Sequence, residues 1–264
     1  MTNAHRVYAI KYGHLERTAR TNFIHPPGDH EAAMPMDYFL WLILCDSGRT
    51  IVVDTGYNAR AARERGRTML RHPAEGLARM GVDPRLVEDV VITHLHYDHA
   101  GNVDAFPKAR FWLQEREMEF ATGKYMCRDF FRLAYEREDI IGMVNALFDQ
   151  RLEFVDGDAE LEPGVTLHRV GGHTAGLQMV RVATQAGPVV LASDLFHYYA
   201  NLELAQPFPI VYSPTELMDS FERAKAFVKD GGWLVPGHDP LVMKRFRPEP
   251  SDPEFTVRLW EPAG

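Results

Sequence analysis

The chain has 264 residues, 45% of them hydrophobic, and 37 acidic against 29 basic side chains give a net charge of −8 with histidines neutral. That balance, without a basic run, argues against nucleic acid and against an anionic membrane surface as partners. Two cysteines, Cys45 and Cys127, are too few for a disulfide framework or a thiolate metal site.

The N-terminal stretch "MTNAHRVYAIKYGH" has no continuous apolar run long enough for a signal peptide, and no run elsewhere approaches a membrane span. The sequence therefore predicts a cytoplasmic, soluble protein acting on a small molecule, as a monomer or homodimer.

In chain order, "RVYAIKYG" and "DYFLWLILCD" read as strands separated by the Pro-rich loop "HPPGDHEAAMPMD", and "SGRTIVVDTG" as a turn feeding a third strand. Residues 58–81 predict a helix broken near Pro73, followed by the strands "EDVVITH" and "ARFWLQ" and a helix starting at "EREMEFATG". Over 128–148 the apolar positions 130, 131, 134, 141, 144 and 148 have helical spacing.

The second half repeats this grammar: "RLEFVDGD", "GVTLHRVGG", "LQMVRVAT" and "GPVVLASD" as strands, then a helix capped by Ser213 with Pro214 in its first turn. "GWLVPGHD" and "EFTVRLW" close the chain. The expectation is one α/β domain over 1–264, made of two similar halves (1–125 and 150–264) joined by the helical segment 128–148. Two sheets should pack face to face with helices outside.

The densest chemistry lies in "VITHLHYDHAGN", where His94, His96, Asp98 and His99 fall within six residues at a strand end. Imidazoles and a carboxylate suit zinc or a similar first-row metal. Asp98 and His99, being adjacent, cannot easily face the same way as His94 and His96, so one turn could feed two ions. "VGGHTAG" with His173, "VVLASDLF" with Asp194 and "WLVPGHDP" with His238 also end apolar strands beside small residues. Taken singly, each has an ordinary reading as a turn, cap or loop residue. Their shared context joins them to the cluster.

In this order "VVDTG", "THLHYDHAGN", "GGHTAG", "ASD" and "PGHD" resemble the metallo-β-lactamase superfamily over nearly the whole chain. The resemblance implies a four-layer αββα sandwich (α/β, α+β) with a dinuclear metal site at one edge of the sheets. By the family pattern His94, His96 and His173 hold one ion, and Asp98, His99 and His238 the other. Asp194 bridges them, and Asp54 orients a ligand histidine. Two divalent ions are expected, zinc first, with manganese, iron or cobalt as alternatives. Such a pair lowers the pKa of a shared water enough to supply hydroxide, which implies hydrolysis without a serine or cysteine nucleophile.

Within the superfamily the chain is most similar to the N-acyl-homoserine lactonase group, including the wording "AFPKARFWLQEREMEFA" after the cluster. Those lactonases carry Tyr three residues after the bridging aspartate, where this chain has His197, followed by Tyr198 and Tyr199. The candidate catalytic residues are Asp98 and His197. His197 is expected to donate a hydrogen bond to substrate or to shuttle a proton. Phe23, Met34, Met36, Tyr38 and Phe39, together with Tyr198 and Tyr199, are the candidate substrate-pocket residues; His25 and His30 read as surface residues. Lactone opening is the expected reaction. Ester, thioester or phosphodiester hydrolysis, or non-catalytic metal binding, are the alternatives. A phosphodiesterase would need cations near the metals, and the ligand loops carry no Lys or Arg.

Overall fold

The computed structural model describes residues 4–263. The first three residues, which open the stretch examined for a signal peptide, lie outside them.

The strands are β1 (Arg6–Leu15), β2 (Met36–Leu44), β3 (Thr50–Val53), β4 (Thr68–Met69), β5 (Asp89–Val91), β6 (Arg110–Gln114), β7 (Leu152–Val155), β8 (Asp158–Glu162), β9 (Val165–Arg169), β10 (Gln178–Thr184), β11 (Gly187–Ser193), β12 (Trp233–Pro236), β13 (Phe246–Pro248) and β14 (Thr256–Pro262). The α-helices are α1 (Ala59–Arg65), α2 (Pro73–Arg79), α3 (Tyr97–Ala100), α4 (Glu115–Ala121), α5 (Asp129–Arg132), α6 (Arg137–Phe148), α7 (Tyr199–Glu203), α8 (Pro214–Ala226) and α9 (Val242–Arg245).

The larger sheet runs β13-β14-β1-β2-β3-β5-β6-β7 with β4 beside β1, and the smaller runs β12-β11-β10-β9-β8. The sheets are not confined to one half of the sequence each, because β7, β13 and β14 complete the larger one.

Alternation along the strands builds the layers. Val7 and Ala9 of β1 and Phe39, Trp41 and Ile43 of β2 face the smaller sheet, meeting Leu167, Val180, Val182 and Leu191 in a shared core. The intervening Tyr8, Ile10, Leu40 and Leu42 face the other way and pack under Leu77 of α2, Met118 of α4 and Met143 of α6. On the far face of the smaller sheet, Met179, Val190 and Ala192 are covered by Leu217, Phe221 and Ala224 of α8. Both faces of both sheets are thus buried, which explains why these strands read as nearly continuous apolar runs. Three cores between four layers make the αββα sandwich.

One predicted helix is broken as expected, with α2 beginning at Pro73, and a second is broken where no break was expected. The first ends at Gly66, whose left-handed φ of 63° caps α1, and the chain turns back so that Thr68 and Met69 pair with His14 and Gly13. The segment 128–148 divides into α5 and α6, because Ala134 O accepts from Tyr97 N at 2.8 Å and Tyr135 forms a bridge to His96. Backbone pairing with the histidine loop overrides the helical period there. The predicted apolar face is consequently only partly buried: Ala134 is buried and Phe131 and Val144 pack against the core, but Phe130 and Phe148 are 73% and 82% exposed, while Met143 and Ala146 face the core instead. The Ser213 cap is as expected, its Oγ accepting from Glu216 N at 3.3 Å. No helix among the described residues is long and apolar enough to cross a membrane.

Candidate metal centre

Four strands end on the same edge of the sandwich, and their exits carry the polar side chains. Asp54 follows β3, His94 and His96 follow β5, Asp194 follows β11 and His238 follows β12. His173 arrives from the loop between β9 and β10, and Asp98 and His99 stand on α3. All seven candidate ligands are buried. Asp54 and Ser193 adopt left-handed φ values of 64° and 48°, so the exits of β3 and β11 hold non-glycine residues in a costly conformation beside the site. Gly237 shows how tight the edge is: a Cβ there would lie 2.4 Å from Asp194 Oδ1.

The side chains form three groups whose ligand atoms lie within 4.8 Å of one another: His94, His96, His173 and Asp194, then Asp98, His99 and His238, and a third in which Asp194 and His238 meet His197. In the first, His96 Nδ1 is 3.0 Å from both His94 Nε2 and His173 Nε2. In the second, Asp98 Oδ2 lies 3.6 Å from His238 Nε2 and 3.9 Å from His99 Nε2. Asp194 divides its carboxylate between these two. Its Oδ2 is 3.3 Å from His173 Nε2 and 3.8 Å from His94 Nε2, and its Oδ1 is 3.3 Å from His99 Nε2 and 3.0 Å from His238 Nε2.

The distal ring nitrogens show what these groups are built to hold. His99 Nδ1 lies 2.7 Å from Asp54 Oδ2, His173 Nδ1 2.8 Å from Ile210 O and His238 Nδ1 2.9 Å from Asp37 O. Each of those oxygens only accepts, so each Nδ1 carries the proton. In a neutral ring, the Nε2 lone pair then points at a carboxylate oxygen of Asp194, an arrangement that repels unless a cation lies between. Consistent with that, His99 Nε2, His238 Nε2 and Asp194 Oδ1 are buried without a hydrogen-bond partner. Imidazole and carboxylate donors converging in this way fit divalent first-row metals.

The local electrostatics agree. Burial, joined by the neighbouring imidazoles, holds His94 and His96 well below the usual histidine range, so both are neutral, as ligands must be. Burial also opposes charge on His99, but Asp194, Asp54 and Asp98 outweigh it and hold its pKa well above the ordinary value. A site that attracts a proton this strongly attracts a metal cation for the same reason.

Around the ligands, Asp54 is fully buried and also accepts from Thr93 N at 2.7 Å and Thr93 Oγ1 at 2.8 Å. Thr93 Oγ1 continues to Ser193 Oγ at 2.9 Å, tying the exits of β3, β5 and β11 together.

Glu117 of α4 was not marked by the sequence reading. It has no exposed surface and accepts from Leu95 N (3.1 Å), Gly176 N (2.9 Å) and Tyr135 Oη (3.0 Å), clamping two histidine loops and the segment across from them. Its only sequence signal was an acid on the inward side of a helix. Glu117→Ala should lower unfolding stability by about 3 kcal/mol, since buried donors left unmade cost about 1–3 kcal/mol each. Urea denaturation reads this directly, and a loss under about 1 kcal/mol would show that the clamp does not hold the loops.

His197 packs against the centre, with Nε2 3.0 Å from Asp194 Oδ2 and its ring stacked on Phe208 at 3.6 Å and 7°. Burial outweighs the pull of Asp194 and pushes its pKa down to about 3, so the ring is neutral near pH 7. Its Nδ1 is buried without a partner.

A cavity of about 160 Å³ opens on the site, with Met36, Tyr38, His197 and Phe208 in its wall. A second, of about 100 Å³, is aromatic and shares His96, Leu133, Ala134, His173 and Ile210 with it. Phe23, Met34, Phe39, Tyr198 and Tyr199 are not in either wall. Tyr198 Oη reaches Met34 O at 3.4 Å, and Tyr199 lies under Arg245, whose Cζ is 3.7 Å from the ring centroid. His25 and His30 are exposed. The first cavity also contains Arg17, Arg65 and Arg67, which come from outside the ligand loops.

Among curated proteins, an N-acyl homoserine lactonase of Bacillus thuringiensis is 32% identical over 165 residues, 62% of this chain and 60% of that protein. An N-acyl homoserine lactonase of Azorhizobium caulinodans is 29% identical over 180 residues, 65% of each chain. The chain thus spans about 60% of the length of the first of these relatives.

A solved N-acyl homoserine lactone hydrolase, with N-hexanoyl-L-homoserine bound at its catalytic metal centre, superposes with a TM-score of 0.76 at 26% identity. The match covers 94% of this chain and 98% of that one. The model of the metallo-beta-lactamase superfamily matches residues 37–238, which contain all seven candidate ligands and Asp54, and the chain belongs to that family.

Proposed function

We propose that the protein is a dinuclear-metal hydrolase that opens a lactone ring, an N-acyl-homoserine lactone or a related lactone. The observation that carries the hydrolase reading is the division of Asp194, one oxygen towards each set of imidazoles. The lactone ring comes from likeness to relatives named as N-acyl homoserine lactonases.

In this reading His94, His96 and His173 hold one ion, Asp98, His99 and His238 the other, and Asp194 belongs to both. Two divalent ions bound there would supply hydroxide at neutral pH and polarise the scissile carbonyl. The chain's own contribution is positional. Asp54, Asp37 and Ile210 fix the tautomer of His99, His238 and His173 through their oxygens. Neutral His197 lines the cavity with its Nε2–H directed at Asp194 Oδ2, and it is this proton that the lactone oxygen would share as the ring opens. Phe120, Phe131 and Tyr212 in the aromatic cavity give an acyl chain or ring an apolar wall.

Imidazole-rich donors favour zinc, with manganese, iron or cobalt as alternatives. Elemental analysis should find two metal ions per chain, and one or fewer after reloading would contradict the dinuclear reading. The free cysteines, Cys45 buried and Cys127 exposed, fit a reducing cytoplasm.

A phosphodiester reading has one observation in its favour, the arginines in the cavity wall. Lactones, esters, thioesters and phosphodiesters offered in parallel to metal-loaded protein decide between them. Lactone opening should be fastest, and a phosphodiester cleaved faster than any lactone would replace the reading.

A further inference from the structure

Arg17, Arg65 and Arg67 line the cavity that holds the metal-ligand cluster, but they are not equivalent. Arg65 is neutralised by Glu136, whose Oε1 accepts from both Nε and Nη2 at 2.9 and 2.7 Å. Arg17 donates only to Thr21, through Nε to Oγ1 at 3.1 Å and Nη2 to the carbonyl at 2.5 Å. The Arg67 guanidinium donates to Tyr97 Oη at 2.9 Å and to Arg65 O at 2.6 Å. Among the described residues neither has a carboxylate at ion-pair distance. Both are half-buried. Each bond set uses part of a five-donor fork and leaves Nη1 of Arg17 and Nη2 of Arg67 without a partner.

Burial lowers the Arg17 pKa and the nearby Arg67 charge adds to that, whereas at Arg67 Tyr97, Tyr38 and Asp98 outweigh burial and hold the pKa above the usual range. Unpaired like charges in a half-buried wall are costly, and anchoring a turn or a carbonyl does not require a guanidinium at both places. The acids in the same wall, Asp98 and Asp194, face the imidazoles. Metal ions would add further positive charge to the cavity and neutralise those acids.

We infer that Arg17 and Arg67 form an anion-recognition subsite, and that the lactone opened here carries a carboxylate beside its ring. The inference rests on the lactone reading for the ring and on the arginine pair for the charge. A neutral acyl-homoserine lactone offers these forks carbonyl oxygens but no counter-charge. A carboxylate-bearing lactone satisfies them while its carbonyl reaches the cluster through the same cavity. Arg17 stands 5.0 Å over Phe208, the ring on which His197 stacks, so the subsite adjoins the residue beside Asp194.

The test uses metal-loaded protein and two measurements. The first compares turnover of a γ-lactone with a ring carboxylate against its carboxamide. The acid should have about tenfold or more higher kcat/KM, on the scale of one charge-assisted hydrogen-bond pair. Arg17→Gln and Arg67→Gln should each remove most of that preference through KM, with two metals retained and the carboxamide within threefold of wild type. The second measures binding of the unreactive lactam acid pyroglutamate against pyroglutamamide by calorimetry. The acid should bind about tenfold tighter, less so at high salt.

Lactones opened with no preference for the acid would overturn the inference and leave the lactonase reading standing. Acid binding lost in both arginine variants, with no lactone opened, would do the reverse. A preference that survives both substitutions would assign the carboxylate to the metals and also overturn the subsite.

Discussion

Asp194→Ala should abolish most turnover, by about a thousandfold or more, and should leave a protein that no longer retains two metal ions. Asp194 is the residue whose two oxygens face different imidazole sets, so no other side chain can replace its position between them. Burial works against its charge, yet His197, His238 and His99 hold its pKa well below the usual carboxylate range. It is therefore ionised and delivers a full negative charge where two cations would sit, and removing it restores repulsion between them.

The apo fold should survive, because the cores under and between the sheets do not include Asp194. Circular dichroism and elemental analysis of the same preparation separate these effects. A variant that keeps both ions and near-full activity would show that the bridge lies elsewhere. Asp194→Asn is the finer control: it keeps shape and one oxygen but loses the charge, and should retain metal better than Ala while remaining impaired.

The convergence of the buried histidines and aspartates is legible in sequence because they sit at strand exits, where backbone geometry repeats from one strand to the next. A buried strand reads as an apolar run, and polar residues just after it project at the edge where β3, β5, β9, β11 and β12 end. This is why His94, Asp194 and His238 could be picked out along with His173. Helix boundaries were less legible where a tertiary contact overrode period. The break at Ala134 and Tyr135 exists because that backbone pairs with Tyr97 and His96, and nothing local in "FFRLAYERED" announces it.

The arginines were missed for a related reason. Arg17 belongs to the loop after β1, and Arg67 reaches the cavity only because Gly66 ends α1 and sends the chain back along β1. Glu117 was equally invisible, since its three donors come from residues 95, 135 and 176, far apart in sequence.

His197→Ala should lower kcat by about 10- to 1,000-fold, the scale of a lost transition-state hydrogen bond or proton transfer. His197 lines the cavity, lies 3.0 Å from Asp194 Oδ2 and is held flat against Phe208. A ring fixed this way has little orientational freedom to lose when it meets a substrate. Being neutral with a pKa near 3, it acts at ordinary pH as a hydrogen-bonding group rather than as a titrating shuttle. The activity lost in His197→Ala should therefore be lost evenly between pH 6 and 8, without a new inflection.

Metal content should stay at two ions, because the imidazoles around both groups remain in place. His197→Tyr is the sharper probe, since it restores the residue of the lactonases at this position. If the ring selects substrate, this variant should shift relative activity towards acyl-homoserine lactones. Tyr198→Phe and Tyr199→Phe should stay near wild type, as Tyr198 Oη is directed to Met34 O and Tyr199 lies under Arg245, neither in the cavity wall. Unchanged kinetics in both His197 variants, with a collapse in either tyrosine variant, would transfer the role from the histidine to that tyrosine.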